Sequence, residues 1–156
     1  MKSLFYGKIC PISTGHLKCL KVLKDLGDPY VGCSSKTNLD IALKDLEEIC
    51  KENNVKFLGQ VPNVFMCLEK LVEKEDEDIT LVCGTDRLID YQGMVGRFLK
   101  YHPKCHVKLF EIPRDEVSST KIRESIRNND FNSFRIMYGN KKRSRENFEI
   151  FKKYYN

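Results

Sequence analysis

The amino-acid sequence predicts an α/β protein built on an open, parallel five-stranded sheet with helices on both faces and a helical C-terminus. Two observations predict it. Over the first 112 residues, short apolar runs alternate with helical patterns, the arrangement left by successive strand–helix–strand crossovers. Within that stretch Ile79 to Cys83 is almost wholly apolar, as a strand covered on both faces of a parallel sheet has to be.

Taken in order, Leu4 to Ile9 reads as the first strand. Gly15 to Leu26 reads as a helix with Leu17, Leu20, Leu23 and Leu26 on one stripe, stopped by Gly27-Asp28-Pro29. Tyr30 to Cys33 is a second strand, and Asp40 to Glu52 a second helix carrying Ile41, Leu46, Ile49 and Cys50. Val55 to Leu58 is a third strand, and Asn63 caps a helix bearing Val64, Leu68, Leu71 and Val72. The acidic run from Glu73 to Asp78 reads as a surface loop. After the 79–83 strand come a helix over Leu88 to Tyr101 and a fifth strand over His106 to Ile112. The remainder is helical: Ser119 to Arg127, Phe131 to Tyr138 and Glu146 to Tyr154. No repeat, low-complexity tract or linker divides the chain. Residues 1–156 are therefore expected to form one domain, Rossmann-like in its sheet, with a core of about 1–128 and C-terminal helices over 129–156.

Bulk properties exclude several classes. Hydrophobic residues make up 41% and charged residues 31%, which suits an ordinary globular protein. No apolar run approaches the ~18 residues of a membrane span, and Lys8 and Pro11 interrupt the N-terminus before a signal-peptide core can form; a cytoplasmic location is expected. The seven cysteines, at 10, 19, 33, 50, 67, 83 and 105, contain no Cys-x-x-Cys pair and mostly have apolar neighbours. They read as buried free thiols rather than disulfides or zinc ligands, with Cys105-His106 simply opening a strand. The net charge of +5 suits an anionic ligand and equally a lysine-rich surface. Lys141-Lys142-Arg143-Ser144-Arg145 reads as a solvated loop before the last helix; the alternatives are a lid over phosphate or a contact to nucleic acid. No aromatic residue interleaves with it as an RNA-stacking surface requires, so no nucleic-acid partner is expected.

In open α/β sheets ligands bind beyond the C-terminal ends of the strands, near the point where strand order reverses. That directs attention to three turns. The first runs from Gly7 through Pro11 to Ser13-Thr14-Gly15-His16, where a strand ends in a proline-stiffened turn and a helix begins. Helix N-termini favour phosphate through free N–H groups and the dipole. Gly15 lets backbone approach closely, Ser13 offers a hydroxyl, and His16 can donate to a phosphate gaining charge. An ordinary cap with an exposed histidine fits the same residues. The second turn, Cys83-Gly84-Thr85-Asp86-Arg87, sets a glycine and an acid directly after a buried strand; Gly84 and Asp86 suit a ribose contact, or Asp86 caps the following helix. The third, Val117-Ser118-Ser119-Thr120-Lys121-Ile122-Arg123, opens a helix with three hydroxyls and two cations. Such a set can cradle β- and γ-phosphates and neutralise departing pyrophosphate.

Together these segments resemble the nucleotidylyltransferase superfamily that carries an (H/T)-x-G-H motif followed by an I-S-S-T-x-I-R motif. The match is Ser13-Thr14-Gly15-His16 and Val117-Ser118-Ser119-Thr120-Lys121-Ile122-Arg123, in the expected order, and the resemblance spans roughly residues 3 to 128. Gly84-Thr85-Asp86-Arg87 is similar to the glycine–acid segment some members place near the nucleotide. Ser13 departs from the family's His or Thr but keeps a hydroxyl, which implies a weakened phosphate contact. Pro11-Ile12-Ser13-Thr14-Gly15-His16 looks like the form in phosphopantetheine adenylyltransferases, whereas Gly7-Lys8-Ile9-Cys10-Pro11 is closer to that of nicotinamide mononucleotide adenylyltransferases.

The resemblance implies transfer of a nucleoside monophosphate, AMP from ATP, to a phosphorylated small molecule such as nicotinamide mononucleotide, with release of pyrophosphate. Phosphopantetheine and cytidylyl-transfer acceptors are the alternatives, as is a nucleotide-binding regulator that has lost catalysis. It implies no covalent intermediate: the acceptor phosphate attacks the α-phosphate in line. His16, Lys121 and Arg123 would be catalytic, together with Mg²⁺ carried by the triphosphate. Ser13, Gly15, Gly84, Asp86, Ser118, Ser119 and Thr120 would hold the nucleotide, and Lys8 and Lys36 the acceptor's phosphate. A homo-oligomer is compatible with the sequence, which leaves the assembly state open.

Overall fold

The computed structural model describes residues 1–113 and 119–155. Its elements are β1 (Lys2–Gly7), α1 (Thr14–Leu26), β2 (Asp28–Cys33), α2 (Asp40–Glu52), β3 (Lys56–Gln60), α3 (Val64–Leu71), β4 (Asp78–Gly84), α4 (Leu88–Tyr101), β5 (His106–Ile112), α5 (Ser119–Arg127), α6 (Phe131–Met137) and α7 (Ser144–Tyr155). The five strands form one sheet in the order β3-β2-β1-β4-β5, every pair parallel. The fold is α/β and Rossmann-like, with strand order reversing between β1 and β4.

Strand residues alternate between two apolar layers, as the period of two requires. Val31, Cys33 and Val82 face α1, α2 and the C-terminal helices, packing with Leu20, Leu23, Leu46, Ile49, Ile122, Phe134, Phe148 and Phe151. Leu4, Tyr6, Ile79, Leu81 and Cys83 face α3 and α4, against Val64, Leu68, Leu71, Val95 and Phe98. Each fully buried Leu or Phe contributes about 1.5–3 kcal/mol, so α5–α7 belong to the main core and are not an appendage to it. Gly32 is required at its place in β2, because a Cβ there would lie 2.4 Å from the Cys67 Sγ of α3.

Three expectations shift. The first strand ends at Gly7; Ile9 and Ile12, 1% and 0% exposed, are apolar because they anchor the following loop in the core. Pro29 lies inside β2 and does not mark a break. Asp28 N–H donates to Met1 O, so Pro29 faces the opposite edge, where β3 pairing starts only at Tyr30. Its missing N–H therefore costs no ladder bond. In the acidic run Glu77 is buried, accepting from Lys2 Nζ at 3.0 Å and from the Glu73 N–H at 2.8 Å. Burial opposes its charge, yet these donors hold its carboxyl below the usual range. Cys10, Cys33, Cys50, Cys67, Cys83 and Cys105 are buried free thiols and Cys19 is half-buried. No helix among the described residues is long and apolar enough to cross a membrane.

Candidate active-site cleft

The C-terminal strand ends open into a cleft of about 900 Å³, situated at the reversal between β1 and β4. It brings together Lys8, Ser13, Gly15, His16, Lys36, Gly84, Asp86, Ser119, Thr120 and Arg123. These residues come from four separate loops and helix starts. Ser118 lies outside the described residues. Lys121 is exposed and is not among the lining residues. The helical period explains it: Ser119, Thr120 and Arg123 share one face of α5, and Lys121 is turned about 100° beyond Thr120.

Ser13 is the N-cap of α1, with extended backbone and a hydroxyl that accepts from the His16 N–H. The reciprocal half of this capping box comes from the histidine ring: Ser13 N–H donates to His16 Nδ1 at 2.9 Å, where a Glu or Gln side chain usually serves. Ser13 Oγ also lies 3.0 Å from Nδ1. Because Nδ1 accepts a backbone proton, the ring proton sits on Nε2. Burial beside Phe5, whose ring centroid is 6.2 Å away, pushes the His16 pKa down to about 4. At neutral pH His16 is an uncharged Nε2–H donor. Ser13, 1% exposed, uses its hydroxyl on this cap and so orients His16.

Two side chains of α5 fasten the first turn. Ser119 Oγ donates to Pro11 O at 2.9 Å, and Arg123 Nη1 donates to Cys10 O at 2.7 Å; Cys10–Pro11 is a cis peptide. Arg123 Nη2 donates to Thr120 Oγ1, so one guanidinium spans both motifs. Behind the turn, Gly139 N–H donates to Ile12 O at 2.9 Å. A Cβ at Gly139 would lie 3.2 Å from the Ile12 carbonyl carbon, so only glycine seats the chain there without displacement.

The loop after β2 is tied down as well. Ser34 N–H donates to Gly7 O, Ile9 N–H to Thr37 Oγ1 and Gln60 Nε2 to Thr37 O. Lys36 projects from this loop and is exposed, like Lys8. Ser34 Oγ is a buried cleft-wall hydroxyl with no hydrogen-bond partner among the described residues, a polar group that a ligand would satisfy. In the β4 turn a Cβ on Gly84 would lie 2.9 Å from Asp86 Oδ1; glycine lets that carboxylate fold back against the strand end. Asp86 caps no helix: it sits in a 3-10 turn, and α4 starts from Arg87 without a side-chain cap.

Sequence reasoning missed Lys18, Arg87, Asp90, Tyr91 and Met94 in the lining. The residues of α4 carried no motif, yet Tyr91 Oη donates to Tyr6 O at the end of β1. Among the described residues the cleft lining carries the cations Lys8, Lys18, Lys36, Arg87 and Arg123 and the carboxylates of Asp86 and Asp90, a balance suited to a polyanion.

The basic run at 141–145 is elsewhere engaged. Lys141 Nζ donates to the Arg135 and Ile136 carbonyls at the end of α6. Lys142 pairs with Glu52, and Arg143 with Glu48 and Glu146; Arg145 lies 3.8 Å over the Phe131 ring. Its cations are solvent-exposed, on a short turn and the start of α7, and none of the run's residues lines the cleft. No protein-family model matches this chain, and the search of curated proteins returned no match.

Proposed function

We propose that the chain is a nucleotidylyltransferase that moves AMP from ATP to a phosphorylated small molecule, such as nicotinamide mononucleotide, and releases pyrophosphate. The observation that carries this reading is the hydrogen-bonded union of the two motif segments, Ser119 to Pro11 and Arg123 to Cys10, at one basic cleft. A cap or a helix start alone would not require two distant segments to meet where strand order reverses.

On this reading the first turn of α1 and the start of α5 receive the triphosphate from two sides. His16 Nε2–H points its donor at the α-phosphate oxygens, whose charge grows as the acceptor oxygen attacks in line. Its neutral state suits it to hydrogen bonding rather than to proton transfer. Arg123, fixed by Cys10 O, neutralises charge on the leaving pyrophosphate. Lys8 and Lys36 hold the acceptor's phosphate across the cleft, and Ser34 Oγ gains a partner there. Among the described residues no group of three His, Cys, Asp or Glu side chains could cage a metal. Among the described residues Asp86 and Asp90 are the carboxylates lining the cleft, in keeping with Mg²⁺ bound chiefly by phosphates and water with one or two carboxylates. The ion would add charge neutralisation to the triphosphate.

The decisive experiment incubates the protein with Mg²⁺ and ATP or CTP across a panel of phosphorylated acceptors, including nicotinamide mononucleotide and phosphopantetheine, and follows pyrophosphate. Acceptor-dependent pyrophosphate release from ATP is expected. ATP binding without release from any acceptor would mean a nucleotide-binding regulator instead.

A further inference from the structure

Behind the first turn is a second, smaller pocket of about 340 Å³, lined by Lys8, Cys10, Lys36, Asn38, Arg123, Arg127 and Tyr155. Four of these residues are cations and none is a carboxylate. Cations on a protein surface are commonly balanced by neighbouring acids, as Arg143 is by Glu48 and Glu146. Here the contacts are of another kind: Arg127 lies 5.8 Å over the Tyr155 ring, Arg123 donates to a backbone carbonyl, and Lys8 and Lys36 are exposed. Tyr155 Oη is 3.2 Å from Cys10 Sγ, which holds the phenol at the rim of the pocket. Its pKa is pushed up, first by burial and then by Cys10, so the hydroxyl stays protonated. Arginines one turn apart on α5, two lysines from two loops, an amide and a phenol converge from four parts of the chain on a space that fits a small anion.

We propose that this pocket is a second anion site, taking a small multiply charged phosphate with free pyrophosphate as its ligand. Arg127 supplies charge-assisted donors from below, Asn38 and Tyr155 supply neutral ones, and Lys8, Lys36 and Arg123 are shared with the main cleft. The site is thus contiguous with the place where nucleotidyl transfer would leave its pyrophosphate. The site itself stands on the pocket's chemistry and does not depend on turnover.

The test is calorimetric titration of the full chain with sodium pyrophosphate, with and without saturating ATP, for wild type, Arg127→Gln and Tyr155→Phe. Arg127 and Tyr155 lie outside the main cleft lining, so neither substitution is expected to change ATP affinity. Arg127→Gln should weaken pyrophosphate binding by about 10-fold or more, the cost of a charged hydrogen bond to phosphate, and Tyr155→Phe by less. Pyrophosphate binding to ATP-saturated protein supports a separate site. If pyrophosphate is instead displaced by ATP, the pocket receives the tail of a bound triphosphate and the free-ligand proposal is overturned. Wild-type-like pyrophosphate affinity in Arg127→Gln also overturns it. A protein that binds pyrophosphate through Arg127 yet releases none from ATP would keep this site while losing the proposed activity.

Discussion

Two sets of cations can be compared in this chain, those spread through residues 8–36 and 123–127 and the compact run at 141–145. Their fates are opposite. Lys142 and Arg143 reach across to Glu52 and Glu48 on α2, and Lys141 caps the end of α6. Lys8, Lys36, Arg123 and Arg127 converge on pockets whose lining is poor in acids. Density of positive charge along the chain is therefore a weak guide to anion binding; the carboxylates that the fold sets opposite each cation decide between strut and receptor. Behind the 141–145 run that logic extends inward. Asp45, 3% exposed, accepts from Tyr138 Oη, from Asn140 Nδ2 at 3.0 Å and from Asn147 Nδ2 at 2.8 Å, a buried polar knot joining α2 to the C-terminal helices.

If the division holds, substitutions in the first region change chemistry and those in the second change stability. The largest effect belongs to His16→Ala, expected to lower kcat by ~10²-fold or more, as for loss of one donor to transition-state charge. Wild-type turnover should be flat between pH 6 and 8, because His16, with its pKa near 4, stays neutral throughout. Turnover that survives the substitution would remove His16 from the mechanism.

The second effect concerns Asp45 and is read as stability. Burial pushes its pKa up to about 7, against hydrogen bonds from Asn140 and Asn147 that pull it down. The folded chain then keeps a proton that the unfolded chain releases near 3.8. This contribution is complete at low pH and is lost as pH rises from about 4 to about 7, at roughly 1.4 kcal/mol per unit at most. Urea unfolding at pH 5 and pH 8 should show Asp45→Asn gaining relative to wild type at the higher pH, and an equal difference at both would refute the buried titration. The smallest effect is that of Arg143→Gln: exposed ion pairs contribute little, so KM for ATP should change by less than about two-fold. A larger change in KM would draw the 141–145 run back into ligand binding.

Much of this was legible beforehand. The spans of α2, α4, α5 and β5 follow from apolar periodicity and from breakers at their ends, and Asn63 caps α3 through Met66 N–H as its position suggested. Periodicity is local, and so are caps. What stayed hidden depends on partners distant in sequence. Nothing near Pro29 says that its blocked edge faces away from β1, and nothing near Glu77 says that Lys2 will meet it. The site divides likewise: motif residues were found by type and order, whereas Arg87, Tyr91 and the pocket at Arg127 required the fold to be folded up. Lys121 lies about 100° beyond Thr120 on α5 and outside the cleft lining, a placement that the helical step per residue already encodes.

The bracing of residues 10–12 by Ser119, Arg123 and Gly139 bears on how the molecule is made. A ribosome releases β1 and its turn first, but the groups that hold that turn in shape are joined to the growing chain more than 100 residues later. Until α5 and the segment beyond α6 have emerged, residues 10–12 of the nascent chain lack those braces. A chain stalled before residue 119 would thus hold all five strands of the sheet and still lack the side chains that brace the first turn.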